Sequence, residues 1–328
     1  MTKAWFGADA IKDQPPRTPL DPKAAVAYGS FIDCAYQMHD QPNGDPLTPP
    51  QPPNFPDGYR LTAWINMFDF VFLELEWLRR KQFYGFVATE IDNPHSHVLA
   101  VRGTEGLLEW WDDAVLIPVP FHPVPEAGLV HAGFYRIYHS MEVIRAPHAV
   151  VPGTAPPAAE TAPHRMSTQN TFADQVEELM GTIPTGGTAP TSGGEPAERH
   201  HHFIVTGHSL GAALCTLYVM EHAIKKKRGT RRVTIERVCT FASPRTGLSK
   251  LKKQFDALPI DSWRIVNQQD IVPKVPPTWP IPYRHVETGY DFSSAGVVKW
   301  NPACWHSMQT YEHWLDPSVQ LDPNCRLT

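Results

Sequence analysis

The chain has 328 residues, of which 42% are apolar and 19% charged, and its formal net charge is −5. That much apolar side chain can bury a sizeable core, in one large α/β domain or two smaller ones. The mild acidic balance gives no electrostatic footprint for nucleic acid or for an anionic membrane, so a partner has to be argued from a site.

The first twenty residues, MTKAWFGADAIKDQPPRTPL, lack the continuous apolar core of a signal peptide. No run in the chain reaches the ~18 apolar residues of a transmembrane segment. A soluble, cytoplasmic protein is expected, with secretion left open to a leader removed before this numbering begins. AAVAYGSFIDCAYQM (24–38) has helical periodicity and precedes a proline-rich surface loop at 41–58. WINMFDFVFLELEWL (64–78) is apolar enough for either helix or strand, and its pattern does not decide between them. FYGFVATEID (83–92) and HVLAVRG (97–103) read as strands joined by a turn at 93–96. GFYRIYHSMEVIR (133–145) reads as a helix.

From about 147 to 200 the chain becomes rich in Pro, Gly and Thr around one short helical pattern, FADQVEELM. This reads as an insertion, because the segments on either side complete one architecture. HFIVT (202–206) is a short apolar strand followed by a helix, AALCTLYVMEHAIKKK; VTIERVCTFAS (233–243) and SWRIVNQ (262–268) are further strands; SMQTYEHWL (307–315) closes the chain as a helix. Strands alternating with helices, several apolar on both faces, predict a mainly parallel central sheet covered by helices on both sides. A single domain over 1–328 is the expected organisation.

Five cysteines are an odd count, and Cys215 and Cys239 sit in apolar runs where buried free thiols are expected, so no disulfide framework is indicated. Lys225, Lys226, Lys227 and Arg228, followed by Arg231 and Arg232, read as solvated cations at a helix C-terminus. His200, His201 and His202 cannot converge on one metal ion from a strand, whose neighbours point to opposite faces, and read as a solvated strand entrance.

The chemistry is concentrated at G-H-S-L-G, where a strand pattern gives way to a helix pattern. A serine N-capping an ordinary helix is the plain alternative. The strand–turn–helix context favours a nucleophile elbow, with Gly207 and Gly211 placed where a side chain would collide with the crossing strand and helix. The backbone N–H of Leu210 then lies at a helix N-terminus, where it can donate to a developing oxyanion. A serine hydroxyl needs a neighbouring imidazole to take its proton. In α/β-hydrolases the order along the chain is serine, acid, histidine. That order leaves His285, His306 and His313. His306 is favoured, because it stands at a loop-to-helix junction with Ser307 able to cap the helix behind it; the other two stay open as alternatives. Asp270, just past a strand end, is the favoured acid, since Asp261 precedes the same strand and belongs to the opposite edge.

With these residues placed, the sequence resembles the class 3 lipases, the fungal triacylglycerol lipases and their bacterial relatives, from Phe83 to Leu315. The segments that carry the resemblance are VLAVRGTEGLLEWWDDA, VHAGFYRIY, VTGHSLGAAL, TFASPRTG, RIVNQQDIVPKVPP and HSMQTY, in that order. The resemblance implies an α/β-hydrolase fold and a second oxyanion donor at Thr104. It also implies a lid in the residues after Thr104, where Leu107, Leu108, Trp110 and Trp111 form an apolar face for an ester chain or a lipid surface, or else pack into the core. Gly106, Glu109 and Ala212 depart from the family's pattern without touching the three favoured residues. Family members tie the N-terminal helix to the C-terminus by a disulfide, which Cys34 and Cys325 can imitate.

The expected activity is hydrolysis of acylglycerol or other acyl esters through an acyl-enzyme on Ser209, with Asp270, His306, Thr104 and Leu210 assisting and with no metal or organic cofactor. The competing readings are an esterase for phospholipid, feruloyl or polyester substrates, and a non-catalytic relative that binds lipid or protein in the same pocket.

Overall fold

The computed structural model describes residues 18–68, 80–104, 116–147, 163–183 and 200–327. In chain order its elements are α1 (Pro22–His39), β1 (Tyr59–Phe68), β2 (Lys81–Glu90), β3 (Ser96–Val101), β4 (Pro118–Pro120), β5 (Leu129–His131) and α2 (Ala132–His139). They continue with β6 (Glu142–Arg145), β7 (His164–Arg165), α3 (Phe172–Thr182), β8 (His201–His208), α4 (Leu210–Arg228) and β9 (Val233–Phe241). The last are α5 (Ser249–Phe255), β10 (Asp261–Asn267), β11 (Gly289–Phe292), α6 (Pro302–His306) and α7 (Met308–Leu315).

Among the described residues nine strands form one sheet in the order β11-β10-β9-β8-β3-β2-β1-β6-β7. From β11 to β3 the neighbours run parallel, and from β3 through β2, β1 and β6 to β7 they run antiparallel. The parallel block supports the site, because its carboxyl ends all open on one rim. On one face α2, α3 and α4 share a core with Ile65, Val87, Leu99 and Val205. On the other, α1 and α7 pack against Phe86, Ala100, Phe241 and Ile265. Covering both faces makes α4 almost wholly apolar at its start, as Leu210 to Met220 are all buried.

Several expectations need correction. The helix expected over 133–145 stops at His139, and Glu142–Arg145 is instead a strand. The Ser140 hydroxyl donates to the Ile137 carbonyl at 2.6 Å and ends the helix, while Val143 and Ile144 pair with Ile65 and Trp64 of β1. The ambiguous 64–78 run is strand up to Phe68, and residues 69–79 lie outside the described set. The helix expected within the 147–200 insertion is present as α3, and His164–Arg165 adds an unforeseen edge strand beside β6.

The basic run is only partly solvated. Lys225 reaches Glu221 and Asp174 at 2.6 Å, and Arg231 also pairs with Asp174 at 2.5 Å, so acids of α3 and α4 draw these cations inward. His201 is buried and bonded to His97 at 2.8 Å, whereas His202 is exposed beside Glu236, so only part of that run is a solvated entrance. Cys34, Cys215 and Cys239 are buried free thiols. Contrary to both disulfide expectations, Cys304 and Cys325 are bridged. The Lys299 N–H donates to the Cys325 carbonyl at 2.8 Å and seats the C-terminal tail beside α6, while Cys34 faces Phe31 and Phe86 in a separate core.

Candidate active site

Ser209 sits between β8 and α4 with φ 60° and ψ −126°, a conformation that L-residues rarely adopt. Holding it costs on the order of 1–3 kcal/mol, which the surrounding structure must offset. The Ser209 N–H donates to the Phe241 carbonyl at 2.9 Å, and the Ser209 carbonyl accepts from Ala212 N–H at 3.1 Å. The flanking glycines answer to close approach: a Cβ on Gly207 would lie 2.8 Å from the Gly211 carbonyl carbon, and one on Gly211 only 2.2 Å from the Val101 carbonyl oxygen. A serine on this turn leaves the backbone on the carboxyl side of the sheet.

Asp270 follows β10, in a turn closed by its own N–H to the Asn267 carbonyl at 3.1 Å. It is buried and surrounded by donors. Oδ1 accepts from Val272 N–H at 2.9 Å, while Oδ2 accepts from His306 Nδ1 and from the Tyr311 hydroxyl, each at 2.7 Å. The other ring nitrogen of His306, Nε2, is 2.8 Å from Ser209 Oγ. Ser209, His306 and Asp270, 97 and 36 residues apart at successive steps, are thus joined in one hydrogen-bonded line. Burial and the Asp270 charge push the Tyr311 phenol well above its ordinary range, so it stays protonated and donates.

His306 ends α6 and is held through the backbone on both sides. Asn267 Nδ2 donates to the Trp305 carbonyl at 2.8 Å, and His208 Nε2 donates to the His306 carbonyl at 2.9 Å. Ser307 occupies the N-cap position of α7, but its hydroxyl bonds Gln309 and makes no backbone cap, a correction to the capping expected of it.

The other sequence candidates fall elsewhere. His285 is half-buried, with Nε2 donating to the Pro273 carbonyl at 2.7 Å, and it precedes β11, which begins only at Gly289. His313 bonds the Val319 carbonyl at 2.8 Å. Asp261, at the amino end of β10, pairs with Arg237 at 3.0 Å and Thr18 at 2.6 Å.

Thr104 follows Gly103, whose carbonyl accepts from Arg102 Nη1 at 2.8 Å. A Cβ on Gly103 would meet Ser209 Cβ at 2.7 Å, so this strand end runs directly alongside the serine. Leu210 opens α4, where first-turn amides have no intrahelical acceptor. The lid expected from the resemblance, with Leu107, Leu108, Trp110 and Trp111, lies outside the described residues. Sequence reasoning missed the side chains of Tyr36, Asn267 and Tyr311, although Asn267 and Tyr311 lay in segments already singled out, RIVNQQDIVPKVPP and HSMQTY. His208 stood inside G-H-S-L-G unnoticed for its side chain.

The family model described as Lipase (class 3) matches residues 98–279, more than half of the chain. The chain belongs to the class 3 lipase family. Ser209 and Asp270 lie inside the match and His306 beyond it. Among relatives of this class 3 lipase family member, phospholipase A1-II 1 of Oryza sativa subsp. indica is 25% identical over 277 residues, covering 79% of this chain and 59% of the relative. Phospholipase A1-II 4 of Oryza sativa subsp. japonica is 29% identical over 254 residues, covering 72% and 55%. The chain therefore spans under three fifths of the length of these curated relatives. The lipase from Rhizopus microsporus var. chinensis shares its fold at a TM-score of 0.52 and 21% identity, covering 89% of this chain and 84% of that one. Lipase II from Rhizopus niveus does so at 0.52 and 20%, covering 83% and 80%.

Proposed function

We propose that this class 3 lipase family member is a serine carboxylic ester hydrolase that works through an acyl-enzyme. Its main support is the line from Ser209 Oγ to His306 Nε2 and from His306 Nδ1 to Asp270. His306 takes the Ser209 proton as Oγ bonds the acyl carbon, then gives that proton to the departing alcohol oxygen. Water, deprotonated by the same imidazole, then attacks the acyl carbon; the bond from that carbon to Ser209 Oγ breaks, His306 returns the proton to Oγ, and the carboxylic acid leaves. Asp270 keeps the proton on Nδ1 and stabilises the imidazolium. The Thr104 and Leu210 backbone N–H groups bind the tetrahedral oxyanion, a contribution typically worth ~3 kcal/mol per donor.

For the acyl donor, the relatives named phospholipase A1 favour a phospholipid ester, and the fungal neighbours named lipases share only the fold. The test is fatty-acid release from phosphatidylcholine, from triacylglycerol and from p-nitrophenyl butyrate by the wild type and by Ser209→Ala. Turnover of at least one ester that disappears in the variant supports the reading. Equal turnover by both proteins, or none by either, contradicts it.

A further inference from the structure

The side chains of Tyr36 and His208 form a hydrogen-bonded link that nothing in the proposed mechanism uses. Gly103 N–H lies 2.8 Å from the Tyr36 hydroxyl, which lies 2.8 Å from His208 Nδ1; His208 Nε2 lies 2.9 Å from the His306 carbonyl. The direction of every bond follows from the ends. A backbone N–H only donates and a carbonyl only accepts, so Nε2 of His208 must carry the proton. His208 is buried, and burial with His306 alongside holds its imidazole well below the ordinary range, so the ring is neutral and Nδ1 is an acceptor. The Tyr36 hydroxyl then accepts from Gly103 and donates to His208. All donors and acceptors along this path are matched.

What the path connects gives it a purpose. One end holds the Arg102–Gly103 peptide, one residue short of Thr104, and the other holds the backbone of His306. Its middle is the residue preceding Ser209. The His208 ring stacks at a tilt against the His306 ring, with centroids 4.5 Å apart, and Tyr36 reaches in from α1, which is 172 residues away in sequence from His208. We propose that Tyr36 and His208 are positioning residues that lock the oxyanion-donor strand end and the base His306 into one frame around Ser209. The proposal rests on the esterase reading above. It predicts that α1 fixes the geometry of the reacting groups as well as covering the sheet.

The test uses Tyr36→Phe, His208→Gln and His208→Leu in the full chain, with functional sites counted by the endpoint stoichiometry of a fluorophosphonate. Tyr36→Phe keeps the ring and loses the hydroxyl. Its kcat per labelled site is expected to fall about 10–100-fold, the scale set by misplacing reacting groups by an ångström or less, with KM within about twofold. His208→Gln can still donate to the His306 carbonyl, so it should retain clearly more kcat than His208→Leu. Fewer labelled sites with kcat per site unchanged in Tyr36→Phe, or equal kcat for the Gln and Leu variants, would mean a purely structural role and would overturn the proposal. An inactive wild type overturns the esterase reading and this proposal together, whereas an active wild type with unaffected variants overturns only this one.

Discussion

Tyr311 donates its hydroxyl to the same Asp270 oxygen, Oδ2, that receives His306 Nδ1, at the same 2.7 Å. The phenol oxygen in turn accepts from Asn267 N–H at 3.2 Å, so α7 and the end of β10 grip the carboxylate together. Removing only this hydroxyl with Tyr311→Phe takes away a hydrogen bond to a charged group, a contact worth about 1.5–3 kcal/mol. The expected result is a kcat/KM roughly tenfold lower, on the scale of 1.4 kcal/mol per factor of ten, with a lower Tm. Steady-state kinetics and thermal melts of the two proteins check it.

Asp270→Asn leaves the size of the side chain unchanged and lets the His306 proton move to the nitrogen facing Ser209. A loss of about 10⁴-fold in kcat is expected, because the imidazole then presents N–H where a lone pair is needed. Burst kinetics with a p-nitrophenyl ester separate this from loss of folded protein.

Gly211→Ala places a methyl 2.2 Å from the Val101 carbonyl oxygen, against backbone that cannot swing aside. Overpacking of this kind costs about 1–3 kcal/mol or more. Urea unfolding should show a lower midpoint with an unchanged m value, while Gly229→Ala, where a Cβ meets nothing within 4 Å, should leave the midpoint near wild type.

Half-buried Asp33 of α1 and buried Glu312 of α7 form a carboxyl pair. Burial raises both above the ordinary carboxylate range, opposed at Asp33 by the hydrogen bond to Glu312 and reinforced at Glu312 by the Asp33 charge. Gly29 makes the room, since a Cβ there would sit 2.4 Å from Glu312 Oε1. The folded chain therefore keeps protons that the unfolded chain gives up above pH about 4. The stabilisation from this pair is present in acid and is lost as pH rises through the folded values, Glu312 last. Glu312→Gln should flatten the decline of unfolding free energy on the alkaline side, measured by denaturant melts across pH.

The opposite limb comes from buried histidines. Burial first, then the neighbouring histidine charges, lowers His97 to about 3 and His201 to about 4. Their folded values lie below the unfolded 6.5, so the stability they contribute is present above that pH and is lost as pH falls through 4 and then 3. His201→Gln should make the acid side of the same stability curve shallower.

Much of the site was legible because local rules place it. Ser209 lies between two glycines at a strand-to-helix switch, Asp270 lies just past an apolar strand, and His306 stands at a helix boundary; each position follows from its own neighbours. The parallel block was legible for the same reason. What sequence could not show depends on contacts across long separations. Nothing near Tyr36 in α1 says that its hydroxyl meets Gly103 and His208. The pairing of Cys304 with Cys325 depends on where the C-terminal tail is seated beside α6, and the inward turn of Lys225 and Arg231 depends on Asp174 of α3. Ser140 ended a helix whose periodicity continued, because β1 offered Val143 and Ile144 a sheet edge.

The central claim is that the Ser209 hydroxyl is activated by His306. Its most direct test is fluorophosphonate labelling followed by peptide mass spectrometry on wild type, His306→Ala and Ser209→Ala. One phosphonyl adduct on the peptide carrying Ser209 in wild type, formed at least a hundredfold more slowly in His306→Ala and absent in Ser209→Ala, is the predicted result. An adduct on another residue, or labelling of Ser209 at the same rate without the imidazole, would contradict it.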